Sequence, residues 1–145
     1  MIKQALRAQK NAYAPYSNHP VGAALLTDNG KVYVGANCET ANYKSNCAER
    51  SAIAAMVTDG QRKIRLLVVV GPEKSELITP CGSCRQDIRE FAGKNTVICS
   101  VSADEQHYKI YGHAELLPDS FCPENLARLG QGIQKKTAAR KKKKR

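Results

Sequence analysis

The sequence predicts a three-layer α/β fold, an α-β-α sandwich in which a mixed five-stranded sheet lies between helices. Helix-like and strand-like segments follow one another in the order α-β-β-α-β-α-β-β-α. The run from Ile64 to Val70 is continuously apolar, as in a strand buried on both faces. Two pairs of neighbouring strands are joined by connections too short to hold a helix, so each pair is expected to be antiparallel.

The first half of the chain is predicted to begin with one helix and one β-hairpin. Apolar residues recur at helical intervals from Ile2, and the helix is expected to end near Tyr13 because a proline follows at position 15. Two β-compatible runs come next, Val21 to Leu26 and Val32 to Val34. The pair Asn29-Gly30 between them is typical of a tight hairpin turn.

The second half is predicted to contain two longer helices, three strands and a short final helix. An alanine-rich segment before Gly60 favours the first helix, and Pro80 precedes the second, which Gly93 is expected to close. The expected bounds are Cys47 to Thr58 and Cys81 to Phe91 for these helices, Ile64 to Val70, Thr96 to Val101 and Tyr108 to Tyr111 for the strands, and Glu124 to Leu129 for the last helix.

Length and charge indicate one folded domain with a basic tail. The chain has 145 residues, which suits a single domain over residues 1–129. Eight of the 23 Lys and Arg residues fall in the last eleven positions without an acid among them, so the net charge of +10 leaves only +2 for residues 1–129. The segment 130–145 is therefore expected to be a disordered extension. Weak attraction to nucleic acid or another acidic surface, or a nuclear-import signal in a eukaryote, remains open for it.

The sequence also predicts a cytoplasmic protein. It contains no apolar stretch of the length of a membrane span, and Lys3, Gln4, Arg7 and Gln9 interrupt the first ten residues, unlike a signal peptide. Six cysteines in a reducing compartment favour free thiols or metal ligation over disulfides.

Three of the cysteines have the spacing of zinc ligands. Cys81 and Cys84 lie on one face at the start of a predicted helix, and Cys47 starts another, where the helix dipole favours the thiolate. Three ligands leave the fourth position of a tetrahedral zinc open, which is typical of a catalytic site. Glu49 is placed to serve as the acid and base, and Arg50 could donate to the sulfurs and withdraw negative charge from them.

These residues resemble a known family. The motifs are similar to those of the zinc nucleoside and nucleobase deaminases, and in particular to the small homotetrameric cytidine deaminases with three cysteine ligands. The resemblance covers about nine-tenths of the chain, and only the basic tail lies outside it. Its motifs are Ala14-Pro15-Tyr16-Ser17, Val21-Gly22-Ala23-Ala24-Leu25, Asn37-Cys38-Glu39, Cys47-Ala48-Glu49-Arg50, Pro80-Cys81-Gly82-Ser83-Cys84-Arg85-Gln86 and Glu115-Leu116-Leu117-Pro118-Asp119-Ser120-Phe121.

The resemblance implies roles for residues around the predicted zinc site. Asn37 and Glu39 match residues that hold the ribose hydroxyls of a nucleoside, and Ala48 matches a position whose backbone amide contacts the pyrimidine. Phe121 matches an aromatic residue that is inserted into the pocket of a neighbouring subunit. The family therefore implies a homotetramer with shared active sites, one zinc per subunit and a small nucleoside as the substrate.

Two departures from the family pattern leave the substrate open. His19 stands where the family usually has a phenylalanine that packs on the base, and the segment Lys44 to Asn46 is one residue shorter than usual. The resemblance implies hydrolytic deamination of cytidine and 2′-deoxycytidine in pyrimidine salvage. A modified cytosine nucleoside or an aminonucleoside resembling blasticidin S is the alternative substrate. A protein that binds or edits nucleic acid through its basic tail is a further alternative, which the nearly neutral body disfavours.

Overall fold

The computed structural model describes residues 1–126, so the predicted tail at 130–145 lies outside the described residues. Within them, no helix combines the length and the apolar character needed to cross a membrane. The elements are α1 (Ile2–Gln9), β1 (Gly22–Thr27), β2 (Val32–Ala36), β3 (Cys38–Glu39), β4 (Ser45–Asn46), α2 (Ala48–Thr58), β5 (Ile64–Val70), α3 (Gly82–Phe91), β6 (Ala92–Val101), β7 (Tyr108–Gly112) and α4 (His113–Leu116).

Five strands form one mixed sheet in the order β2-β1-β5-β6-β7. β5 and β6 are parallel and are connected through α3, whereas the other neighbours are antiparallel. The register places Gly22 opposite both Ala36 and Val70, and Val70 opposite Val101. The carboxyl ends of the two parallel strands therefore meet at one edge of the sheet, where ligands commonly bind in open α/β folds.

Helices cover both faces of this sheet, which confirms the predicted three-layer fold. β5 directs Leu67 and Val69 into a core shared with α2 and α3. Its alternate residues Val68 and Val70 enter a second core beneath α1. All four side chains are at most 2% exposed, so the prediction that this strand is buried on both faces is confirmed.

The first helix is shorter than predicted because Tyr13 is drawn into sheet-like pairing. The helix ends at Gln9, and Tyr13 forms an isolated bridge with Cys38. The Tyr13 amide donates to the carbonyl of Asn37, and the Glu39 amide donates to the carbonyl of Tyr13. These contacts hold the start of the following loop against β3.

Three further features differ from the sequence-based expectation. The two-residue strands β3 and β4 form a small separate hairpin, and α4 follows β7 directly. β6 begins at Ala92 and not at Thr96, because Ala92 already pairs with Ile64 before an irregularity in the register. Helical residues resume at 123–126, and the remainder of the helix predicted at Glu124 to Leu129 lies beyond the described part of the chain.

Helix α2 packs with its backbone directly on strand β2. A Cβ atom at Gly35 would lie 2.3 Å from the carbonyl oxygen of Ala48 and 2.4 Å from the amide nitrogen of Ala52. Both are backbone atoms, so no side-chain rotation would relieve the contact. Gly35 therefore fixes the distance between the strand and the first turn of the helix.

We predict that Gly35→Ala destabilises the fold by about 2 to 3 kcal/mol, because the added methyl group forces α2 away from β2. The control is Gly93→Ala, where an added Cβ meets no atom within 4 Å and the backbone φ is not positive. That variant should stay within about 0.5 kcal/mol of the parent. Urea unfolding measures both, and equal stability of the two variants would contradict the close-packing account.

Candidate active site

Two helix N-termini converge on a cluster of three thiols. Cys47 is the N-cap of α2 and Cys81 is the N-cap of α3, each with an extended backbone conformation. Cys84 is buried in the first turn of α3. The three Sγ atoms all lie within 4.8 Å of one another, and those of Cys47 and Cys81 are 3.9 Å apart.

This donor set fits Zn²⁺. Sulfurs bound to one tetrahedral zinc at about 2.3 Å are about 3.8 Å from each other, close to the separation of Cys47 and Cys81. Each thiol is located in or next to the first turn of a helix, where the macrodipole favours a negative charge. Cys47, Cys81 and Cys84 are the residues that could hold one zinc ion in this chain.

Without a metal, the three thiols differ in their tendency to ionise. Burial raises the pKa of Cys84, and the charges of Glu49 and Cys47 raise it further. The pKa of Cys47 is also raised, mainly by burial. At Cys81, burial again raises the pKa, but hydrogen bonds from Cys84 and Cys47 and from the Ser83 amide outweigh it, so the net shift is downward. Because a cation stabilises thiolates, zinc binding is expected to release protons here.

Glu49 lies against the thiol cluster and is almost fully buried, at 4% exposure. Its carboxylate is 3.7 Å from the Sγ of Cys84, which donates to it. Burial raises the pKa of Glu49 above its usual range. A carboxyl group with a raised pKa exchanges protons more readily near neutral pH, as a general acid and base must.

Arg50 contacts α3 and not a sulfur among the hydrogen bonds described for residues 1–126. Its Nε donates to Oδ2 of Asp87 at 2.8 Å, and its Nη2 donates to Oγ of Ser83 at 2.6 Å. A carboxylate is a stronger acceptor than a protonated thiol, which accounts for this choice. Donation from Arg50 to the sulfurs stays a prediction for the zinc-bound protein.

A cavity of about 490 Å³ opens beside the cluster. This volume is in the range of small-molecule sites. It brings together most of the residues that the sequence singles out. The lining residues are Ser17, His19, Val21, Asn37, Glu39, Ser45, Cys47, Ala48, Glu49, Ile78, Thr79 and Cys81.

Phe121 does not line this cavity. Its side chain is 57% exposed, and its carbonyl accepts a hydrogen bond from Nε2 of Gln86 on α3. The backbone of Phe121 is thus fixed to α3 while the ring faces outward. Within a single chain, the aromatic ring of Phe121 therefore lies outside the cavity beside the thiol cluster.

The amide of Asn37 holds the loop that carries His19. Its Oδ1 accepts from the amide of Val21 at 2.8 Å, and its Nδ2 donates to the carbonyl of His19 at 3.0 Å. The end of β2 and the start of β1 are therefore tied together across the pocket rim. One donor hydrogen and one lone pair of Asn37 remain for a ligand.

Ser17 is a pocket residue to which the sequence analysis gave no role of its own. Its hydroxyl donates to Oε1 of Glu39 and accepts from the amide of His19. Oε2 of Glu39 accepts from the amides of Tyr16 and Ser17. The Ser17 hydroxyl bond and these two amide bonds lower the pKa of Glu39, so this carboxylate stays ionised and keeps a fixed direction.

Comparisons with known proteins agree with the geometry of the site. Residues 1–100 match the family described as the cytidine and deoxycytidylate deaminase zinc-binding region. A cytidine deaminase of Sporosarcina psychrophila is 38% identical over 130 residues, which cover 88% of this chain and 93% of that protein. A crystal structure of cytidine deaminase from Burkholderia pseudomallei matches with 40% identity and a TM-score of 0.77, over 83% of this chain and 95% of that one. The corresponding structure from Mycobacterium tuberculosis matches with 34% identity and a TM-score of 0.71, over 82% and 92% of the two chains.

Proposed function

The chain belongs to the cytidine and deoxycytidylate deaminase family, and we propose that it hydrolyses cytidine and 2′-deoxycytidine to the uridine forms with release of ammonia. One observation carries the proposal. Buried Glu49 lies beside the three-thiol cluster and lines a nucleoside-sized cavity, and Asn37 and Glu39 offer hydroxyl-binding groups to the same cavity.

Zinc held by Cys47, Cys81 and Cys84 supplies Lewis-acid activation of water when it is bound. Glu49 then moves the protons. It takes one from the water that attacks C4 of the base and delivers it to the ring nitrogen N3. It next takes the remaining proton of the new C4 hydroxyl and passes it to the exocyclic amine, so that the C4 carbonyl forms, the C4–N bond breaks and ammonia leaves. Its burial and raised pKa support both the acceptance and the return of a proton.

Two other residues that line the cavity support recognition of the sugar. The ionised carboxylate of Glu39 accepts a hydrogen bond from a ribose hydroxyl, and the remaining capacity of Asn37 supplies a second contact. Ala48 lies in the first turn of α2, where backbone amides lack a partner within the helix. Its amide is therefore suited to contact an oxygen of the pyrimidine.

His19 lines the cavity in the position assigned to the base-stacking aromatic residue. An imidazole ring stacks on a pyrimidine but adds a donor and an acceptor. This feature keeps a modified cytosine nucleoside, or an aminonucleoside resembling blasticidin S, as the second candidate substrate. The named relatives favour cytidine itself, and turnover of cytidine against N4-substituted analogues compares the two candidates.

A homotetramer with shared active sites is part of the same proposal. The outward ring of Phe121 and its anchored backbone support donation of this side chain to a neighbouring subunit. Exposed tyrosines near the pocket, Tyr16 and Tyr43, add apolar surface suited to an interface. We also propose a cytoplasmic role in pyrimidine salvage. The relatives do not support nucleic-acid contact through residues 130–145, which lie outside the described part of the chain.

Replacing the proton carrier should abolish turnover without removing the metal. We predict that Glu49→Ala lowers kcat by about 10²-fold to 10⁴-fold, the usual range for loss of a general acid and base. The zinc content should remain near that of the parent, because Glu49 is not a ligand. The control is Glu90→Ala, which removes an exposed carboxylate from α3. Retained turnover in Glu49→Ala would contradict the mechanism.

Subunit mixing tests the shared site. We predict that Phe121→Ala lowers kcat/KM by about tenfold or more, because each pocket loses the aromatic ring of its neighbour. Coexpression of Phe121→Ala with Glu49→Ala chains should then restore roughly a quarter of the sites, since some pockets combine an intact Glu49 with an intact neighbouring Phe121. The measurement is the deaminase activity per chain of the coexpressed mixture, compared with the activity of each variant alone. An absence of recovery would show that Phe121 acts within its own chain.

A further inference from the structure

Arg50 is fixed to the neighbouring helix by a single carboxylate oxygen and a hydroxyl. The Oδ2 of Asp87 accepts from Nε at 2.8 Å and forms an ion pair with Nη2 at 2.7 Å. Nη2 also donates to the hydroxyl of Ser83 at 2.6 Å. The planar guanidinium is thereby held at two of its nitrogens, which fixes its direction more firmly than one contact would.

Arg50 and Asp87 are each close in sequence to a cysteine of the thiol cluster. Arg50 lies three residues after Cys47 on α2, and Asp87 lies three residues after Cys84 on α3. Residues at this spacing are neighbours on one helix face. Ser83, whose hydroxyl accepts from Nη2 of Arg50, directly precedes Cys84 in the chain.

The ion pair of Arg50 and Asp87 matters because of the net charge of the metal centre. Three thiolates and one Zn²⁺ carry a net charge of −1, and a fixed cation beside them reduces the repulsion among the sulfurs. The Arg50 side chain is 41% exposed, so without an acceptor on α3 it would sample many rotamers in solvent. Asp87 has two opposed effects: it fixes the cation, and it adds a negative charge of its own.

We propose that the first effect prevails and that Asp87 is a positioning residue of the metal centre. It anchors Arg50 beside Cys47 and Cys84 and so strengthens the binding of zinc. Zinc affinity is measured without any nucleoside, so failure of this idea is distinguishable from failure of the proposed deamination.

The test is the zinc affinity of the full chain, measured by competition with a chromophoric chelator under reducing conditions. Asp87→Ala should bind zinc about tenfold more weakly, at the lower end of the usual effect of losing a partner of a metal ligand. Asp87→Asn keeps an acceptor oxygen for Arg50 and should stay within about threefold of the parent. Glu90→Ala removes an exposed carboxylate from the same helix and should leave the affinity unchanged.

The direction in which the zinc affinity changes distinguishes the anchoring of Arg50 from the direct effect of the negative charge of Asp87. Tighter zinc binding in both Asp87 variants would show that the negative charge prevails and would overturn the proposal, as would unchanged affinity in Asp87→Ala. Should Asp87→Ala fold poorly, Asp87→Asn and Asp87→Ser replace it. The Asp87→Asn protein, with the longer amide side chain, must then bind zinc more tightly than the Asp87→Ser protein, with the shorter hydroxyl side chain. In an Arg50→Gln background, Asp87→Ala should cause no further loss of zinc affinity, because Asp87 acts through Arg50. A further tenfold loss of zinc affinity in that background would contradict an action of Asp87 through Arg50.

Discussion

The active site depends on how closely helix α2 packs against strand β2. Gly35 lets the backbone of the first turn of α2 lie directly on the strand, and a larger residue would collide with backbone atoms of Ala48 and Ala52. This contact fixes the place where α2 begins. Because Cys47 caps that helix and Glu49 lies in its first turn, it also fixes one ligand and the proton carrier relative to the sheet.

The parallel pair β5 and β6 then determines where the second helix begins. The loop after β5 leads to Cys81 at the N-terminus of α3, so two helix N-termini meet at the carboxyl edge of the sheet. Their dipoles favour the thiolates that a zinc ion requires. Hydrogen bonds hold the remaining pocket wall, which comes from the loop before β1 and the end of β2. Ser17 donates to Glu39, and the side chain of Asn37 bonds to the backbone of His19 and Val21.

The sequence predicted those features that depend on local pattern. A few adjacent residues are enough to predict each of three such features: the apolar run of β5, the spacing of Cys81 and Cys84, and the placement of Cys47 at a helix start. Features that depend on distant segments were not predictable in this way. The early end of α1 follows from pairing between Tyr13 and Cys38, and the acceptor chosen by Arg50 follows from how α2 and α3 face each other.

The most direct test of the account combines zinc analysis with an ultraviolet assay on cytidine and 2′-deoxycytidine. The purified chain should contain one zinc per subunit and convert both nucleosides to their uridine forms. Removal of the metal should abolish the conversion, and restored zinc should recover it. Conversion by the metal-free protein, or a zinc-loaded protein that converts neither nucleoside, would contradict the account.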